Sequence, residues 1–97
     1  MHGPALLFCP ADRPDRYAKA ADAADSVILD LEDAVGPDHR ASARESVVAS
    51  HLDPSRTIVR VNPVGTPDFE LDLDAVRRSD YLTVMLGRAE RWQRRAS

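Results

Sequence analysis

The chain has 97 residues, which favours one domain at most. Its 43% apolar and 30% charged residues are an ordinary globular balance, which argues against a disordered, collagen-like or transmembrane chain. The longest unbroken apolar run, Ala5–Cys9, is five residues, far short of the roughly 20 a membrane-spanning helix needs. That run is also too short for a signal-peptide core and has no Lys or Arg before it. A single cysteine excludes an internal disulfide framework, and a net charge of −3 gives no reason to expect nucleic acid. The expected location is the cytoplasm.

Four short apolar segments read as strands: Ala5–Cys9, Ser26–Leu31, Thr57–Val61 and Tyr81–Leu86. Segments with helical spacing lie between them: the Ala-rich Asp15–Ala24, then His39–His51, then Phe69–Arg78 with Leu71, Leu73 and Val76. Asp12 is expected to cap the first helix, with Pro14 in its first turn and Asp15 reaching back. Gly36-Pro37-Asp38 separates the second strand from the second helix, and Asp53-Pro54 is expected to end that helix. Thr66-Pro67-Asp68 is a helix start: a cap, a proline at the first helical position and an acid facing the helix dipole. Strands and helices in strict alternation imply βαβ units and a parallel α/β sheet. Right-handed crossovers then put the helices on one side of a barrel or on both faces of an open sheet.

Charge is unevenly placed. Residues 1–86 carry 9 basic and 15 acidic side chains, a net of −6, whereas Arg88, Arg91, Arg94 and Arg95 against Glu90 give residues 87–97 a net of +3. The expected organisation is a folded unit over 1–86 and a divergent basic tail over 87–97, with Trp92 in that tail.

The most informative residues are charged and sit at strand ends. Side chains alternate along a strand, so Val27, Leu29 and Leu31 share one face while Ile28, Asp30 and Glu32 share the other. In the next strand Val59 and Val61 share one face, and Ile58, Arg60 and Asn62 the other. A buried charge is costly unless paired. One explanation is a structural pair, Asp30 with Arg60. The other is a binding site at the carboxyl ends of the strands, where α/β sheets and barrels keep their sites. There Arg60 would clamp a substrate carboxylate, and Glu32 and Asp33 would hold a divalent cation or its waters. Both hold together if Asp30 orients Arg60.

Three motifs carry a family resemblance. Leu7-Phe8-Cys9-Pro10-Ala11-Asp12-Arg13-Pro14-Asp15-Arg16-Tyr17-Ala18-Lys19-Ala20 resembles the N-terminal strand and turn of citrate lyase β-subunit-like proteins. Val27-Ile28-Leu29-Asp30-Leu31-Glu32-Asp33-Ala34-Val35 resembles their second strand, and Val59-Arg60-Val61-Asn62-Pro63-Val64-Gly65-Thr66-Pro67 their third strand and loop. The match runs over residues 5–86 and covers about the first third of a member of the HpcH/HpaI aldolase and citrate lyase superfamily. The resemblance implies the first half of a TIM (β/α)8 barrel, with about four parallel strands. It implies Mg2+-dependent lyase chemistry at a carbon–carbon bond of citryl- or malyl-type CoA thioesters. Carried across, Arg60 matches the substrate-carboxylate arginine, Glu32 and Asp33 the acidic pair near the metal and its waters, Asp12 and Arg13 the mouth of the site, and Gly65 and Thr66 a loop beside the substrate. The partners implied are a CoA thioester or small carboxylate, with no nucleic acid and no membrane.

Departures accompany the resemblance. The family's two main metal-ligand carboxylates follow strand four, beyond residue 97. Where the family pattern reads Pro-Lys after that strand, this chain has Gly87-Arg88, and Arg is no equivalent of a compact Lys charge. A full barrel needs roughly 250 residues, and half of one leaves two open edges and an uncovered interior. The expectation is therefore a truncated member, a poor catalyst alone, with a homo-oligomer as one way to cover the interior. The rivals are a non-catalytic α/β module that binds an anion or a partner, and a remnant without function. A receiver-like module lacks the acidic pair expected after its first strand. Cys9 is expected as a small core residue, His39 and His51 as solvated helix ends, and Lys19, the only lysine, on a solvated face. No glycine-rich phosphate loop is present.

Overall fold

The computed structural model describes residues 5–87. Its elements follow in the order β1 (Leu6–Pro10), α1 (Tyr17–Ala23), β2 (Ser26–Asp30), α2 (Arg40–Ala49), β3 (Thr57–Val61), α3 (Pro67–Arg78) and β4 (Thr83–Leu86). Each apolar run became a strand, and the strands pair in parallel in the order β1-β2-β3-β4. Three short 3-10 turns, Pro14–Arg16, Pro37–His39 and Pro54–Arg56, each begin on a proline, whose fixed φ suits a first helical position.

The alternation along β2 and β3 decides which face is dry. Val27, Leu29, Leu31, Val59 and Val61 form one core with Cys9, Tyr17 and Ala20 from the first unit, Ala43 and Val47 of α2, and Val76 of α3. All three helices thus cover one face of a sheet whose strands run in sequential order. That is one-sided winding, as in a barrel, not the two-sided winding of an open sheet. Among the described residues the other face is free of helices. Register places Phe8, Ile28, Ile58 and Thr83 in one row across it, and Pro10, Asp30, Arg60 and Met85 in the next row towards the carboxyl ends. Among the described residues β1 and β4 are both open edges, and Leu6, Leu7, Phe8, Val84 and Leu86 there are exposed. No helix among the described residues is long and apolar enough to cross a membrane.

Several local expectations are corrected. Asp12 caps nothing: Arg13 is the capping residue of the Pro14–Arg16 turn and makes no side-chain cap bond. Asp15 does not reach back to the turn, because both its oxygens accept from Arg13, at 3.2 and 3.1 Å. The second helix ends at Ala49, and Asp53 instead opens the next 3-10 turn, accepting from the Ser55 amide at 2.9 Å. Thr66 does cap α3: its hydroxyl accepts from the Phe69 amide at 3.3 Å. Leu71 is exposed, and Asp72, Ala75 and Val76 form the buried stripe of α3.

Tyr81 precedes β4 as an anchor and does not begin the strand. It is buried, its hydroxyl lies 2.6 Å from Ser50 Oγ, and it accepts from the Leu52 amide at 3.0 Å. Tyr81→Phe leaves the Leu52 amide without its partner and takes one of two from Ser50, which keeps the Val47 carbonyl at 2.8 Å, and a loss of about 1–3 kcal/mol is expected in urea unfolding. A change below a few tenths would show that water replaces the hydroxyl at no cost.

Candidate functional site

The charged row on the helix-free face is a built cluster. Asp30 ends β2 with 2% of its surface exposed, and Arg60 is its register partner on β3. Arg60 Nε donates to Asp30 Oδ1 at 3.0 Å and Nη2 to Asp30 Oδ2 at 2.6 Å, a two-pronged, charge-assisted pair. Oδ1 of Asp30 also accepts the Glu32 amide at 2.8 Å, which turns the chain sharply after the strand. Glu32 Oε1 then lies 3.6 Å from Arg60 Nε, and Asp33 Oδ2 lies 3.5 Å from Nη2. The Phe8 ring covers the guanidinium, 4.9 Å from Cζ to centroid, a favourable stack for a planar cation. The structural pair foreseen between Asp30 and Arg60 is therefore present, and it sits at the carboxyl ends of the strands.

Among the described residues, the carboxylates of Asp30, Glu32 and Asp33 stand around the one Arg60 guanidinium. The Asp30 hydrogen bond, set against partial desolvation and helped by the charges of Asp30, Glu32 and Asp33, raises the Arg60 pKa above its ordinary value. Arg60 therefore stays cationic throughout the working range. Among the described residues its Nη1 takes no hydrogen bond. The pair spends the Nε–Nη2 edge on Asp30.

Glu32 and Asp33 are hard oxygen donors of the kind Mg2+ takes, and Mg2+ keeps several of its waters in such sites. They fit it through those waters. Among the described residues no group of three His, Cys, Asp or Glu side chains is placed to hold a metal directly. Glu32 is buried and Asp33 exposed, so the two would meet a cation from different depths.

The other residues expected at the site lie on the loops after β1 and β3. Asp12 is half-buried in the turn after β1, and Arg13 is exposed and engaged with Asp15. Gly65 has φ 93°, a conformation that favours glycine. A Cβ there would meet nothing within 4 Å. The Thr66 hydroxyl is occupied within its own turn, donating to the Pro63 carbonyl at 2.6 Å and capping α3. None of these four pairs with Arg60.

Asn62 departs from expectation. It turns away from Arg60 and under α3, where its Nδ2 donates to Asp72 Oδ2 at 2.7 Å and to the Leu31 carbonyl at 3.1 Å. Asp72, Arg44 and Asn62 form the buried polar link that sequence reasoning missed. Gly87 follows β4 so closely that a Cβ would lie 2.7 Å from the Val61 carbonyl oxygen and 2.7 Å from Glu32 Cδ. On this backbone path a proline at position 87 does not fit.

The remaining candidates are ordinary. Burial raises the Cys9 thiol pKa, keeping it a protonated core group. His51 pairs with Asp80 at 2.8 Å on the surface, and His39 and Lys19 are exposed. Arg88, Trp92 and the rest of 88–97 lie outside the described residues.

Comparison with known proteins bears on this geometry. The family model for HpcH/HpaI aldolase/citrate lyase matches residues 5–91. The chain is 56% identical over 88 residues to the citrate lyase subunit beta-like protein of Mycobacterium tuberculosis, covering 91% of this chain and 32% of that protein. It is 43% identical over 72 residues to an L-malyl-CoA/beta-methylmalyl-CoA lyase of Cereibacter sphaeroides, covering 69% of this chain and 23% of the relative. The fold superposes on the crystal structure of CitE from Mycobacterium tuberculosis in complex with magnesium, acetoacetate and coenzyme A. The TM-score is 0.87 and the identity 56%, over 91% of this chain and 33% of that one. The chain spans about a third of the length of the Mycobacterium relatives it matches.

Proposed function

Because the chain belongs to the HpcH/HpaI aldolase/citrate lyase family, we propose that it forms the N-terminal part of a Mg2+-dependent carbon–carbon lyase acting on citryl- or malyl-type CoA thioesters. The observation that carries this reading is Arg60, fixed by Asp30 at the carboxyl end of β3 with Glu32 and Asp33 beside it. The substrate class is supported by the malyl-CoA lyase relatives and by a similar structure that holds magnesium, acetoacetate and coenzyme A.

In this reading Arg60 takes up the free carboxylate of the substrate and fixes its orientation. Phe8 excludes water from one face of the guanidinium and so strengthens that contact. Glu32 and Asp33 hold the waters of Mg2+. When bound, the ion supplies Lewis-acid stabilisation of negative charge developing on substrate oxygens. Asp12 and Arg13 after β1, and Gly65 and Thr66 after β3, line the approach. Association of two copies through the open β1 and β4 edges belongs to the same reading, since it covers the exposed interior.

A calorimetric titration with oxaloacetate tests it. Asp30, Glu32 and Asp33 put three carboxylates around Arg60, so a cation held beside them favours an incoming carboxylate. Oxaloacetate is therefore expected to bind at least about tenfold more tightly with Mg2+ than without, about 1.4 kcal/mol, and Arg60→Ala is expected to remove the binding. Equal binding by wild type and Arg60→Ala would reject the reading. Arg60-dependent binding indifferent to Mg2+ would favour a non-catalytic anion-binding module.

A further inference from the structure

We infer that Asp30 is a positioning residue of this site: by holding the Nε–Nη2 edge of Arg60 it makes the Nη1 end the part of the guanidinium that receives a carboxylate. The inference rests on the reading of Arg60 as the carboxylate-binding residue.

A free arginine offers a carboxylate two forks, one formed by Nε with one terminal nitrogen and one formed by the two terminal nitrogens. Here the first fork is spent on Asp30, at 3.0 and 2.6 Å. The pair is almost fully withdrawn from water, with 3% of the Asp30 side chain and 14% of the Arg60 side chain exposed. An incoming carboxylate would have to displace a desolvated ion pair to reach that fork, and doing so would strand the Asp30 charge. Asp30 is itself not free to yield, because its Oδ1 also holds the Glu32 amide at 2.8 Å. Glu32 Oε1 stands 3.6 Å from Nε and occupies that side, and the Phe8 ring covers one face. Among the described residues what remains open is Nη1, with the exposed Asp33 carboxylate 3.5 Å from the neighbouring Nη2. The pair therefore decides from which direction, and in which plane, a carboxylate is held, and position within about an ångström is what catalysis depends on.

Side-chain 1H–15N spectra of the 15N-labelled 97-residue chain test this, with Arg60→Lys identifying the Arg60 signals. The probe is oxaloacetate in the presence of Mg2+. In the wild type, slow rotation about the Nε–Cζ bond is expected, with a Nε–H resonance that stays in place at saturation while the Nη resonances move. In Asp30→Asn the weakened fork is expected to free the rotation, and the Nε–H resonance then moves with the ligand. A purely structural Asp30 would change stability without changing which nitrogen responds. The wild-type titration decides the question even where Asp30→Asn does not fold. If Nε–H moves as far as Nη in the wild type, Asp30 yields its fork to the ligand and the inference fails while the carboxylate assignment of Arg60 stands. If oxaloacetate moves neither set, the carboxylate assignment fails and takes the inference with it.

Discussion

Asp72→Ala is expected to lower stability by about 3–5 kcal/mol, the range for removing one partner of a buried charge pair. Asp72 lies in α3 with none of its surface exposed. Its Oδ2 accepts the Asn62 backbone amide at 2.8 Å and the Asn62 side-chain amide at 2.7 Å, and its Oδ1 accepts Arg44 Nη1 at 3.1 Å. The substitution strands the buried Asn62 backbone amide and takes one partner each from Asn62 Nδ2, which keeps the Leu31 carbonyl, and from Arg44. Arg44 keeps only Asp68, at 3.2 Å, and Asp68 already serves Arg40 at 2.7 Å. A domain of this size has roughly 5–15 kcal/mol in all, so the loss is a large fraction of it. Asp72→Asn keeps the volume and one acceptor and is expected to lose less. Urea unfolding followed by circular dichroism measures both. A shift below about 1 kcal/mol for Asp72→Ala would mean that water enters beneath α3 and satisfies the abandoned groups.

The same polar link reaches the candidate site. Asn62 Nδ2 also donates to the Leu31 carbonyl at 3.1 Å, and the Leu31 amide donates to the Arg60 carbonyl at 2.9 Å. Asp72 thus fastens the carboxyl ends of β2 and β3 to each other, below the loops that carry Glu32, Asp33 and Gly65. Its removal is expected to loosen the site as well as the fold.

Arg60→Ala is expected to cost a comparable amount, about 3–5 kcal/mol, for a different reason. Among the described residues Arg60 is the cation placed beside Asp30, Glu32 and Asp33. Without it the buried Asp30 carboxylate loses its two-pronged partner, and Glu32 and Asp33 lose the guanidinium beside them. Part of the loss comes from packing, because the guanidinium also fills the space over Phe8. Arg60→Lys restores one charge but not the two-pronged geometry, so it is expected to recover only part of the stability. The urea midpoints of the three proteins order the case: wild type, then Lys, then Ala. An Ala variant as stable as the wild type would mean that the carboxylates are relieved by water, and that Arg60 is held for binding alone.

How much of this was legible in the sequence depended on the length scale of the interaction. The strands were legible because each is an apolar run bounded by turn residues, and β3 has the foreseen limits, Thr57–Val61. The pairing of Asp30 with Arg60 was legible because alternation puts both on one face of consecutive strands, and parallel register then makes them neighbours. Asn62 was misplaced by that same rule, because alternation ceases to hold where the strand ends at Val61.

Asp72 was missed because the apolar pattern of α3 was read through Leu71, which is exposed. The stripe that packs is Asp72, Ala75 and Val76, and a carboxylate within it is tolerated only because Arg44 and Asn62, distant in sequence, meet it. A signal existed: an Asp three and four residues before two small apolar residues on a helix face asks where its partners are. The contact of Phe8 with Arg60 spans two strands and a rotamer choice, and no periodicity encodes it. The tightness around Gly87 likewise emerges only once β3 and β4 are side by side.

The most direct test of the central claim is a crystal structure of the chain grown with oxaloacetate and Mg2+. The expected result is an oxaloacetate carboxylate at the Nη1 end of Arg60, with the Asp30 pair intact and Glu32 and Asp33 turned towards the hydrated ion. Oxaloacetate bound elsewhere on the fold, or a carboxylate seated on the Nε–Nη2 edge with Asp30 swung away, would contradict it.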